Sequence, residues 1–122
     1  MGGSKLVVAM AIVAAMSAPV LARAATYGEV DSAADLDRVF AAIRADVDKA
    51  ESRAELRRLD HRAGYLVTLT YSRPWRVKFG DRLPGLREEA VRQFRATVQE
   101  VNRRAGALGT EADFQESWGD AK

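Results

Sequence analysis

Apolar side chains recur along this chain at alternating intervals of three and four. From Ser32 the stripe runs Ala33, Leu36, Phe40, Ile43, Val47 and Ala50, with Asp and Arg filling the other face. That spacing predicts an amphipathic helix over about 32–50. Leu56, Leu59, Ala63, Leu66 and Thr70 repeat the alternation out of phase with the first stripe, so the chain must break near Ser52. Ser52 followed by Glu55 is a capping box, with the hydroxyl accepting from the N3 amide and the carboxylate reaching back to the N-cap amide. The second helix is placed at about 53–71. No Gly or Pro marks the break, so a tight turn competes there with one long kinked helix.

Tyr65–Tyr71 (YLVTLTY) is rich in β-branched and aromatic residues and also alternates as a strand would. Its only partner would be the short Trp75, Val77, Phe79 alternation, making a small hairpin the competing reading and a helix the preferred one. Pro74, Gly80, Pro84 and Gly85 read as a connection over Ser72–Gly85. A third helix at about 85–106 carries Val91, Phe94, Val98, Val101, Ala105 and Leu108, with Glu88 and Glu89 near its start and Arg103 and Arg104 before Gly106 and Gly109. Thr110 is expected to cap a short helical turn over 110–117, and Phe114 with Trp118 to fold back as a lid. The predicted fold is all-α: a small antiparallel three-helix bundle with a short C-terminal turn, in one domain spanning 25–122.

The first residues follow a different pattern. Lys5 precedes an unbroken apolar run from Leu6 to Met16, the apolar character continues to Leu21, and Ala22 and Ala24 give an A-x-A site. Too short to span a bilayer comfortably, this run reads as a signal peptide over 1–24, cut after Ala24, with a retained N-terminal anchor as the alternative. Export to a bacterial periplasm, or secretion, is the expected location.

Composition gains meaning only after that cut. The chain has 19 basic and 17 acidic side chains, and Lys5 and Arg23 leave with the signal, so the remainder is formally neutral. Its basic isoelectric point is therefore no argument for a nucleic-acid partner. All three methionines leave too, and there is no cysteine. With His61 as the only imidazole, no metal or cofactor site is expected, and stability must come from an apolar core. Asp35 and Asp37 recur as Asp46 and Asp48 in near-line on a helix, but about 16 Å apart, and read as a solvated face. His61, beside Asp60, is read as exposed. No nucleophile elbow, metalloprotease, P-loop or dinucleotide motif is present, so no catalytic residue is assigned.

Charge is distributed unevenly: residues 25–52 carry 3 basic and 7 acidic side chains, 53–104 carry 13 and 6, and 105–122 carry 1 and 4. Interhelical pairing would neutralise this internally; a cationic patch for an anionic partner is the functional alternative. The patch is densest over 72–85, where Arg73, Arg76, Lys78 and Arg82 interleave with Trp75 and Phe79. Arg and Trp are the residues that most often dominate binding energy, so these six are the candidate site. The plainer possibility is that both aromatic residues plug the end of the bundle while the cations stay in water. The expected function is a non-catalytic accessory factor that binds a protein of the bacterial envelope. Anionic lipid or cell-wall polymer is the alternative partner. A carboxylate-only hydrolase using Glu88 or Glu89 opposite Asp60 is the third reading.

Overall fold

The computed structural model describes residues 30–117, and the proposed signal peptide at 1–24 lies outside them. Four helices follow one another: α1 (Ala33–Lys49), α2 (Arg53–Leu69), the short α3 (Arg73–Phe79) and α4 (Leu83–Ala107), with a single 3₁₀ turn at Gly80–Arg82 leading into α4. There is no strand among the described residues. None of these helices is long and apolar enough to cross a membrane.

Three of the four helices start on a serine. The Ser32 hydroxyl accepts from the Asp35 amide, Ser52 from Glu55 and Ser72 from Trp75, which satisfies an amide that has no partner within its helix. At the α1–α2 turn, Ala50 and Ser52 both adopt extended backbone, so the chain reverses without a positive φ and needs no glycine. The Glu55 carboxylate reaches back to the Glu51 amide at 2.8 Å, one residue earlier than a capping box would place it.

Helices α1, α2 and α4 form an up-down-up bundle. Arg104 of α4 caps the end of α1 by donating to the Ala50 carbonyl at 2.9 Å, and Arg87, near the start of α4, donates to the Thr70 carbonyl at 2.8 Å where α2 ends. Helices α1 and α4 therefore run parallel, and α2 runs antiparallel to both. Leu36, Phe40, Ile43 and Val47 meet Leu56, Ala63, Leu66 and Val67, and Ala90, Val98, Val101 and Ala105 complete the seam. Tyr65–Tyr71 is helical up to Leu69 because burial overrides propensity: Leu66, Val67 and Thr70 are fully buried, at the spacing of a helix rather than a strand. The buried Thr70 hydroxyl donates to the Val67 carbonyl at 2.6 Å.

Two segments depart from the sequence reading. The expected loop over 72–85 is mostly helix: Pro74 sits in the first turn of α3, where its missing N–H costs nothing, and Gly80 ends α3 with φ +54°. Pro84 likewise lies in the first turn of α4, which starts two residues before the expected 85. The expected helical turn over 110–117 is absent. Gly109, at φ +77°, closes α4 in a Schellman motif, with the Thr110 amide donating to the Ala105 carbonyl and the Gly109 amide to Gly106. The Thr110 hydroxyl turns back to the same Ala105 carbonyl instead of capping a new turn. Side chains of Asn102 and Arg53 then hold the tail backbone in place of helical bonds. Phe114 does fold back onto the core; Trp118 lies outside the described residues.

Phe40 is fully buried at the centre of α1. Replacing it with alanine is expected to cost about 3–5 kcal/mol. Ser52→Ala, which removes only a cap, is expected to cost about 1 kcal/mol. Urea unfolding of the two variants beside wild type measures both.

Candidate functional site

Helix α3 closes one end of the bundle. Trp75 and Phe79, four residues apart, both point inward and are buried; their rings meet edge to face with centroids 5.2 Å apart. As residues to grip a partner directly, these two are not available, because they are the plug of the bundle end. The cations around them remain at the surface.

Those cations divide into two groups. Lys78 is committed to the start of the described chain: its Nζ lies 2.9 Å from the Asp31 carboxylate and 2.6 Å from the Val30 carbonyl. Arg82 lies over the Phe79 ring at 5.3 Å. Arg73 and Arg76 face outward, exposed, with neither a carboxylate nor a carbonyl partner among the described residues. Val77, next after Arg76 and one helical turn beyond Arg73, is 80% exposed. Tyr71, 53% exposed, precedes α3 and carries the Arg87 guanidinium 4.0 Å above its ring. The end of the bundle thus presents two unpaired guanidiniums beside an exposed valine and a tyrosine. Sequence reasoning singled out the two aromatic residues of this segment, which the fold buries, and passed over Val77 and Tyr71, which it exposes. The i, i+4 spacing of Trp75 and Phe79 was the signal that they share a buried face.

Elsewhere the uneven charge is settled within the molecule. Arg62 reaches Asp46 of α1 at 3.7 Å, and Arg53 reaches Asp113 of the tail at 2.6 Å, holding that carboxyl below its usual range. Acidic ends therefore neutralise part of the basic middle, as interhelical pairing requires.

The carboxylates named for a hydrolase do not come together. Glu89 faces α1 and pairs with Asp37, whereas Asp60 lies in the groove between α2 and α4. The Asp37–Glu89 pair was missed, since Asp37 was read as part of a solvated face; only knowing that α1 and α4 run parallel aligns the two. Burial, followed by the hydrogen bond to Glu89 and its charge, pushes Asp37 up to about 6. Glu89 is held below its usual range, first by that same hydrogen bond. Within the pair a proton is therefore favoured on Asp37 and disfavoured on Glu89. Gln93 Nε2 donates to Glu89 as well, at 3.1 Å, while Gln93 Oε1 accepts from Arg44 at 2.7 Å. The result is a polar seam between α1 and α4. Carboxyl groups that share a hydrogen bond lie closer than the about 5 Å that a glycosidase pair requires. His61 is exposed beside Asp60, and no group of three or more potential metal ligands occurs among the described residues.

Comparison with protein-family models, with curated proteins and with solved structures finds no match.

The Asp37–Glu89 pair sets a pH dependence with a definite sign. Because Asp37 is raised from 3.8 to about 6, its contribution to stability is full below pH 3.8 and is lost as pH climbs through 6. Glu89 is lowered from 4.5, so its contribution is present above that value and fades in acid. The urea midpoint of wild type is expected to fall between pH 5 and pH 7.5. Asp37→Asn, which keeps a donor toward Glu89 without a charge, is expected to flatten that fall; an unchanged slope would break the assignment.

Proposed function

We propose that this chain is an exported, non-catalytic accessory protein of the bacterial envelope, and that the outward face of α3 docks an acidic surface on a protein partner. Export rests on the Lys5–Ala24 pattern. The observation that carries the docking face is the placement of Arg73, Arg76 and Val77 on a helix whose other side is pinned by Trp75 and Phe79. A guanidinium without an internal partner is ready to form a bidentate bond with a carboxylate. An exposed valine beside it supplies apolar contact, and the buried plug fixes all three in space before binding, which limits the ordering cost. Between Tyr71 and Arg87 the chain has five cations and one carboxylate, Asp81, so the field at this end favours an acidic partner. Val77 and Tyr71 are too small an apolar area to act as a membrane wedge, which favours a protein over a lipid surface.

A photo-crosslinking residue at position 77 of the full chain, produced in a bacterial host and followed by mass spectrometry, tests this reading. One discrete adduct is expected, lost in a chain carrying Arg73→Glu and Arg76→Glu that retains the helical circular-dichroism spectrum. With the partner purified, Arg73→Ala plus Arg76→Ala is expected to weaken binding about tenfold or more while stability stays within about 0.5 kcal/mol. An adduct indifferent to charge reversal would remove the docking face. Charge-dependent sedimentation with phosphatidylglycerol vesicles, in place of an adduct, would reassign the face to anionic lipid.

A further inference from the structure

A hollow of about 300 Å³ lies between α1 and α2, at the end of the bundle away from α3. Its floor is apolar, because Ala50 and Leu59 line it and both are buried. Three cations stand at its rim. Lys49 is the last residue of α1, where the negative end of the helix dipole favours a cation. Arg58 and Arg62 are one turn apart on α2, so both rise from the same face of that helix. Only residues 50–52 separate the two helices, which keeps Lys49 beside the start of α2.

The acids of the same hollow leave most of this charge unanswered. Glu55 is committed to the Glu51 amide at 2.8 Å. Asp46 lies 3.7 Å from Arg62, longer than a hydrogen bond, and both side chains are about half exposed, so that contact is weak in water. Lys49 and Arg58 have neither a hydrogen bond nor an ion pair among the described residues. The donors available therefore number two guanidinium forks and one ammonium. A carboxylate has two oxygens, which a single fork satisfies. A phosphate monoester has three terminal oxygens and nearly two negative charges at neutral pH, enough to accept from both forks and the ammonium together. Its carbon body, not its charge, suits the apolar floor.

We propose that this hollow binds an organic phosphate monoester, with the phosphate gripped by Arg58 and Arg62 from α2 and Lys49 from α1, and the carbon body resting on Ala50 and Leu59. Arg62 gives up its loose contact with Asp46 when the ligand enters. The site is separate from the α3 face and does not depend on it. A soluble ester and the headgroup of a monoester phospholipid carry the same chemistry, and the experiment distinguishes them.

Titration of the ¹⁵N-labelled full chain with glycerol 3-phosphate at fixed ionic strength, followed by nuclear magnetic resonance, tests the site. Saturable shifts are expected at the amides of Ala50, Ser52 and Leu59. Inorganic phosphate is expected to move the same amides with lower affinity, and acetate at equal concentration to leave them in place. Arg58→Gln plus Arg62→Gln, both at exposed positions, is expected to weaken binding about tenfold or more while the helical circular-dichroism spectrum is kept. Arg38→Gln plus Arg95→Gln removes the same charge elsewhere on the surface and is expected to change affinity less than about twofold. Asp46→Asn, which frees Arg62, is expected to tighten binding about threefold. Sedimentation with phosphatidic acid in phosphatidylcholine vesicles, lost with Arg58 and Arg62, would assign the ester to a lipid; saturable shifts without sedimentation would assign it to a soluble compound. Absence of saturable shifts, an equal response to acetate, or an equal loss in both double variants would overturn the site.

Discussion

Burial of apolar area along α4 is the constraint on which the other contacts depend. The described chain has no disulfide to limit its unfolded state, so the side chains of one seam must offset the ordering of the backbone. Helices α1 and α2 each own a single apolar stripe, and a two-helix hairpin would leave half of each stripe wet. Helix α4, 25 residues long, covers both at once with Ala90, Phe94, Val98, Val101 and Ala105. Its alanines matter as much as its valines, because small side chains let the three backbones approach where Phe40 and Leu36 already fill the centre.

Polar groups at the edges of this seam set its register. Arg104 on the Ala50 carbonyl and Arg87 on the Thr70 carbonyl each satisfy a helix end that would otherwise lack a partner, and they do so from opposite ends of α4. A slide of one turn would undo both. Between them, Arg44 bonds Gln93 and Thr97, and Asp37 faces Glu89, so α1 and α4 are keyed by polar groups as well as by packing. Keeping such groups partly buried specifies alignment, since apolar stripes alone tolerate neighbouring registers.

Much of this was legible from residue spacing. The three stripes, the break before Ser52 and the all-α fold follow from three-and-four periodicity and capping chemistry, which are local signals. What escaped was set by neighbours. A helix as short as α3 has only Trp75 and Phe79 to bury, too few to register as a stripe, and its Pro74 and Gly80 punctuate a helix and a loop alike. The tail was given a helical turn because Thr110 is a good cap, yet its backbone found partners on Asn102 and Arg53, 12 and 58 residues away in sequence. The Asp37–Glu89 contact needed the parallel course of α1 and α4, a fact of topology. At the candidate site, the cations of 73–82 were legible from composition, but their division into paired and unpaired was not, since Lys78 is claimed by Val30 and Asp31 from the other end of the chain.

That division follows from how α3 is anchored. Lys78 lies at the surface edge where the residues before α1 pass, and its charge is drawn to Asp31. Arg73 and Arg76 lie on the outward half, which no other described element crosses. Two buried rings and the Lys78 contacts hold this seven-residue helix in place, so Arg73, Arg76 and Val77 carry no such structural obligation. A surface with fixed geometry and few internal contacts can be occupied by a partner without disturbing the fold beneath it. The seam along α4 is in the opposite condition: each side chain there answers to two helices, and a ligand could enter only by displacing one of them.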